Sequence, residues 1–147
     1  MSSVTNSPIK VRVLLVQDTQ ANGAFPSSGQ DILGSVATGT ENIDSFLNIT
    51  NIPRFRILKD RTITLQNQLI YFAGGTTNNA FQNGVQRSIE LVYNFRRPLP
   101  VRFNSNTGVI ANVVDNSFIL LAGYTNNGVS TTAPQSAWVS RCSFIDT

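Results

Sequence analysis

A chain of 147 residues, 41% hydrophobic and only 13% charged, holds one core rather than two and has about half the charged fraction usual for a soluble domain. Its formal charge of +3, from nine Arg and two Lys against eight acids, is too small for the chain alone to hold nucleic acid strongly, because affinity follows the number of phosphates neutralised. Histidine is absent and Cys142 is the single cysteine, which excludes a Ser-His-Asp triad, a Cys-His pair, a histidine metal site and an intramolecular disulfide.

In chain order, Ile9, Val11, Val13 and Leu15 alternate with Lys10 and Arg12, the period of a strand whose odd positions face a core. Leu14 and Val16 imply cover on the other face at the far end. The stretch "DTQANGAFPSSGQD" reads as a loop, with Asp18 expected to fix it rather than to perform chemistry. Between Ile32 and Leu47 at most a short helical turn fits, around "NIDSFL". In "RFRILKDRTITLQNQ" the residues Phe55, Ile57, Ile63 and Leu65 share a parity interrupted by "KDR". That predicts one long strand with a solvated or bent middle, or two short strands around a turn.

A loop is expected over residues 74–84. "SIELVYNF" then turns Ile89, Leu91, Tyr93 and Phe95 inward, and "LPVRF" continues the pattern after Arg96, Arg97 and Pro98. The turn "NSNTG" leads through "VIANVV" to "SFILLAGY", an apolar run typical of a strand buried on both faces. "TNNGVSTTAPQS" separates it from a last strand, "AWVSRCSFI", in which Cys142 is expected to be buried. Short strands with frequent turn signals and no amphipathic helix predict an all-β fold, an antiparallel sandwich or jelly roll, as a single domain over residues 1–147. No apolar run reaches the roughly 18 residues of a membrane span. The N-terminus shows no signal-peptide pattern, so no membrane partner is expected.

The acids Asp18, Asp31, Glu41, Asp44, Asp60, Glu90, Asp115 and Asp146 sit mostly in loops or beside turn residues, and no two pair at a catalytic spacing. An enzyme is not expected, and no cofactor is implied. Loop carboxylates and Asn carbonyls are the hard oxygens calcium takes, so calcium at subunit interfaces stands as an option, against ordinary turn residues. The cations are the better candidates for a site: Lys10 with Arg12, Arg54 with Arg56, and the adjacent Arg96 and Arg97. Either they bind nucleic acid or they form salt bridges and solvated faces. Trp138 and Tyr124 can stack on bases or belong to core or interface.

Three blocks together resemble one family. "VRVLLVQDTQANGAFPSSGQDIL" is similar to the strand and loop with a central D-x-Q-x-N-G-A found in capsid proteins of circular, Rep-encoding single-stranded DNA viruses. "RFRILKDRTITL" resembles their R-F-x-I/V-L-K-D block, which satellite necrosis virus coat proteins share. "PVRFNSNTGVIANVVDNSFILLAG" is similar to their aromatic-Asn-Ser/Thr turn before an apolar strand. The blocks come in the family's order and cover most of the chain.

The resemblance implies the viral jelly roll, strands B to I in two facing sheets ordered B-I-D-G and C-H-E-F. Residues 9–17 would be D, 54–65 E, 87–95 F, 99–104 G, 117–124 H and 137–145 I. The jelly roll is then N-terminally incomplete, lacking strands B and C and the arginine-rich arm before them. The edges of I and H would be bare, and a second polypeptide, or a neighbouring subunit, would supply B, C and the basic arm. The implied function is a structural capsid protein, self-assembling into an icosahedral homo-oligomer of about 60 subunits around a viral genome. Single-stranded DNA stands ahead of RNA, and the location is the virion, with assembly in the host cell. The alternative is a β-sandwich carbohydrate- or ligand-binding module of lectin or adhesin type.

Overall fold

In the computed structural model, β1 (Ile9–Asp18) is the central strand of the main sheet. The structure describes residues 8–34, 44–66, 68–71, 80–83, 86–107, 109–125 and 135–143. Around β1 the chain adds β2 (Phe55–Leu65), β3 (Gln68–Tyr71), β4 (Ala80–Asn83), β5 (Arg102–Phe103), β6 (Val113–Asp115) and β7 (Ser117–Thr125). Single 3-10 turns cover Gly29–Asp31, Ile49–Asn51 and Ile110–Asn112. The chain is all-β and its ladders are antiparallel: a three-stranded sheet in the order β2-β1-β7, and the pairs β3–β4 and β5–β6. No helix among the described residues is long and apolar enough to cross a membrane.

The neighbours of β1 differ from expectation. As strand D it would lie between the strands at 137–145 and 99–104; it lies instead between β2 and β7. Two features favour this arrangement. Strands consecutive in sequence tend to pair, and β1 and β2 match over their whole lengths, Ile9 opposite Leu65 and Asp18 opposite Phe55. Cross-strand ion pairs described below fix the same register. Residues 87–95 form no strand, and the strand expected at 99–104 shrinks to Arg102–Phe103. The last strand is likewise absent from residues 135–143, with residues 144 and 145 outside the described set. Cys142 is therefore exposed, not buried: without a ladder or a facing sheet, the side chains of this segment stay in water. Of the loop expected over 74–84, residues 80–83 instead form β4, held by its antiparallel pairing with β3, and the rest lies outside the described residues.

The core lies on the even-numbered side of β1, the reverse of the expected orientation. Leu14, Val16, Ile32, Leu33 and Phe55 are buried together, with Leu47, Ile57, Ile119 and Leu121 packed on them. The reason is the long β1–β2 connection, which folds back over that side. Gly34 N–H donates to Phe46 O at 2.8 Å and Asn48 N–H to Ile32 O at 2.9 Å, around a bridge between Leu33 and Leu47. Full burial of a Leu, Val, Ile or Phe side chain contributes about 1.5–3 kcal/mol, so Ile32 and Leu33 help to hold the connection on that side. The expected helical turn near "NIDSFL" is not formed over residues 44–46; a 3-10 turn follows at Ile49–Asn51.

A β-bulge in β2 changes which residues share a face. Val16 stands opposite Ile57 but Leu15 opposite Lys59, so Leu58 has no partner in the ladder. One extra residue reverses the alternation beyond it. Phe55 and Ile57 join the Leu14 side, whereas Ile63 and Leu65, opposite Val11 and Ile9, lie on the other side. β2 is thus one long strand, and its odd apolar residues do not share a face.

Candidate functional site

The loop after β1 is locked from both ends. Asp18 is fully buried, and its carboxylate accepts from Arg54 Nε at 3.0 Å and Nη2 at 2.9 Å, and from Gln20 N–H at 3.1 Å. Thr19 N–H donates to Arg54 O at 2.9 Å. Asn22 and Gly23 both take positive φ, 47° and 75°, which Asn and Gly adopt at least cost. That turn aims Asn22 N–H at Val114 O, 3.0 Å, and Gly23 N–H at Val113 O, 2.8 Å. Asp18 fixes this loop, as its sequence context suggested.

Of the six cations singled out, three are neutralised locally. Lys10 Nζ donates to Asp44 at 3.0 and 3.1 Å. Arg12 grips Asp60 through Nε at 3.0 Å and Nη2 at 2.6 Å, and its Nη1 donates to Ser45 O at 3.0 Å. Arg54 holds Asp18. The hydrogen bond to Asp60 raises the Arg12 pKa, and that to Asp18 raises the Arg54 pKa, each opposed by desolvation. Bidentate carboxylate pairs of this kind leave a guanidinium little to offer a phosphate. Lys10, Arg12 and Arg54 therefore serve the fold.

Arg56, Arg96 and Arg97 are exposed and form no ion pair among the described residues. The bulge adds two cations that the sequence reading passed over. Arg56, Lys59 and Arg61 stand opposite Gln17, Leu15 and Val13, three successive rungs on the face away from the core. Simple alternation would put Arg56 on the opposite face from Lys59 and Arg61. No carboxylate from β1 or β7 shares their face; Glu90 lines a shallow hollow with Lys59, Arg61, Leu91 and Val92. The charged "KDR" interruption was visible in the sequence, but the bulge that aligns it with Arg56 was not.

The same face carries aromatics. Phe118 lies 5.6 Å from Phe95 with the rings tilted by 51°, and Phe95 meets Tyr93 edge-on at 4.8 Å. Tyr124, on the Phe118 side of β7, and Trp138 are exposed, so neither belongs to the described core. Two further aspartates are engaged locally. Asp31 accepts from Ser27 and Ser28, and Asp115 from Arg102. No group of three or more acidic or cysteine side chains that could hold a metal occurs among the described residues. Glu41 and Asp146 lie outside them. The arrangement offers exposed guanidinium and ammonium groups on the face of the sheet that also carries aromatic rings.

No family model matches the chain, and neither the search of curated proteins nor that of solved structures gives a significant match.

Proposed function

We propose that the chain is a structural subunit of a small icosahedral viral shell, built on a jelly roll and working through subunit burial rather than turnover. One observation carries the reading: the three stretches that resemble the capsid family interlock. The first supplies Asp18, Asn22 and Gly23; the second supplies Arg54, which holds Asp18; the third supplies the Val113 and Val114 carbonyls that receive Asn22 and Gly23. Residues that carry the resemblance are thus the ones that join β1, β2 and the β6–β7 region.

The strand order supports a changed assignment within that family. In the sheet C-H-E-F, strand E lies between F and H, with F next in sequence and H later. The observed order β2-β1-β7 is compatible with F-E-H, in which β1, β2 and β7 would correspond to E, F and H. The place of C, beside β7, is then the position for a further strand.

Such a subunit would form a homo-oligomer of about 60 copies around single-stranded nucleic acid, DNA ahead of RNA, in the virion after assembly in the host cell. Arg56, Lys59, Arg61, Arg96 and Arg97 are the exposed cations that we assign to phosphate. Light scattering on the purified chain, followed by nuclease digestion, tests this. Megadalton particles with nuclease-protected nucleic acid are expected. A 16 kDa monomer that is stabilised by a sugar or other small ligand would instead favour a binding module.

A further inference from the structure

The geometry points to a base-reading site in the hollow between β2 and residues 90–92. Lys59 and Arg61 hold phosphates of a single strand there, and Glu90 takes the Watson–Crick edge of a guanine. The inference deepens the nucleic-acid part of the shell reading, on which it rests, by naming the base that the cation face selects.

The hollow joins two stretches of chain. Lys59 and Arg61 come from β2, opposite Leu15 and Val13 on the face away from the core. Glu90, Leu91 and Val92 come from the stretch that continues to Phe95, whose ring meets Phe118 on that same face. The volume is about 210 Å³, less than the roughly 300–1,000 Å³ that encloses a drug-sized ligand. A single flat base lying against an open surface suits it better.

Opposite charges share this space without neutralising one another. Lys59, Arg61 and Glu90 are all exposed, and among the described residues Glu90 forms no ion pair with either cation. A ligand that fills the hollow must therefore present an anion to the cations and N–H donors to the carboxylate. A nucleotide does both. Lys59 and Arg61 are two residues apart on a strand, about 7 Å, a step that one nucleotide of an extended strand can span. Arg56 continues the row on the next rung. A free amino acid also carries both charges, but it would use neither that row nor the apolar surface of Leu91 and Val92. Ring ligands are bound by such apolar walls with a few placed polar groups.

Glu90 decides which base is taken, because an ionised carboxylate only accepts hydrogen bonds. Guanine carries N1–H and N2–H side by side, two parallel donors that match both oxygens of one carboxylate, as an Arg fork does. Cytosine and adenine each set one amino group beside a ring-nitrogen acceptor. Thymine sets its single N–H between two carbonyls, which a carboxylate repels. Bases of a single strand expose these edges, whereas a duplex hides them.

The test is fluorescence anisotropy on the full chain with short labelled thymidine strands, unbroken or with one central guanosine, inosine, adenosine or cytidine. The guanosine strand is expected to bind about five- to tenfold tighter than unbroken thymidine, the low end for a bidentate base contact, because the hollow is open to water. Inosine keeps N1–H but lacks the N2 amino group, so it should lose most of that gain, a comparison that needs no variant. Glu90→Gln should abolish the guanine preference and leave thymidine binding at least as tight. Its melting temperature should not move, since Glu90 is exposed. Lys59→Gln/Arg61→Gln should weaken every strand by a similar factor.

Equal affinity for all strands would overturn the proposal, as would no binding at all. So would a guanine preference that inosine shares in full, or one that survives Glu90→Gln. Nuclease-resistant particles from a chain that binds all strands alike would sink the base contact and leave the shell reading standing. A guanine preference in a chain that never assembles would do the reverse.

Discussion

Asp18, wholly buried at the end of β1, and Arg54, one-third exposed just before β2, hold each other through two hydrogen bonds of 3.0 and 2.9 Å. The asymmetry in burial decides which partner can be lost more cheaply. Asp18→Asn leaves a guanidinium that can turn to water, and should cost about 1–3 kcal/mol. Arg54→Ala strands a buried carboxylate and should cost about 3–5 kcal/mol. Urea unfolding of both variants at equal m-value checks this. Asp18→Asn proving the more damaging change would show that Arg54, not Asp18, is the anchored member.

Gly23 is required for two separate reasons. Its φ of +75° is strained for a residue with a side chain, and a Cβ there would lie 2.7 Å from Ala111 O, a backbone atom with no freedom to step aside. Gly23→Ala should therefore cost about 2 kcal/mol or more. Loss should also be local: the amides of residues 22 and 23, bonded to Val114 and Val113, should exchange faster than those of β1. Equal exchange in variant and wild type would mean that the loop stays docked and the clash is relieved elsewhere.

Strand existence was legible wherever a segment carried its own pattern and found a partner. β1, β2 and β7 were all foreseen within two residues at each end, and so was the loop that Asp18 fixes. Faces were less legible, for reasons that lie outside any single strand. Leu14 and Val16 became the core because residues 29–34 and 44–48 fold over them, and no local period reports which side a distant loop will choose. Ile63 and Leu65 left the face of Phe55 because of one unmatched residue, Leu58. The sequence left Lys10 and Arg12 open between salt bridges and phosphate, because their partners Asp44 and Asp60 lie at least 34 residues away along the chain.

Two carboxylates should contribute to the loss of stability in acid. The Ser27 hydroxyl, helped by the Ser28 and Ser27 backbone N–H groups, holds Asp31 below its ordinary value of 3.8. The Arg102 side chain, and its backbone N–H, does the same for Asp115. A folded-state pKa below the unfolded one gives stability that is complete above the unfolded value and disappears as pH falls through the folded value. Melting temperature should thus hold steady from neutrality to about pH 5, there being no histidine to titrate, and drop below about pH 4. Asp31→Asn and Asp115→Asn should each flatten that drop. Variants as acid-sensitive as the wild type would assign the loss to other groups.

Within the shell reading, the bulge in β2 decides which cations meet nucleic acid. Arg56, Lys59 and Arg61 share an open face without a carboxylate from β1 or β7, whereas Lys10, Arg12 and Arg54 each have an aspartate within 3.1 Å. Each phosphate contact on a single strand adds about 0.7 to the slope of log affinity against log salt. Arg56→Gln/Lys59→Gln/Arg61→Gln should therefore lower that slope for a single-stranded oligonucleotide by about 2, with little change in melting temperature because these side chains hold nothing else. Lys10→Gln/Arg12→Gln/Arg54→Gln should do the opposite, lowering the melting temperature while leaving the slope intact in protein that remains folded. Fluorescence anisotropy titrations at several salt concentrations, beside thermal melts, separate the two sets. A slope that follows Lys10, Arg12 and Arg54 would mean that nucleic acid displaces their aspartates, and that charges on the core side of the sheet open on binding.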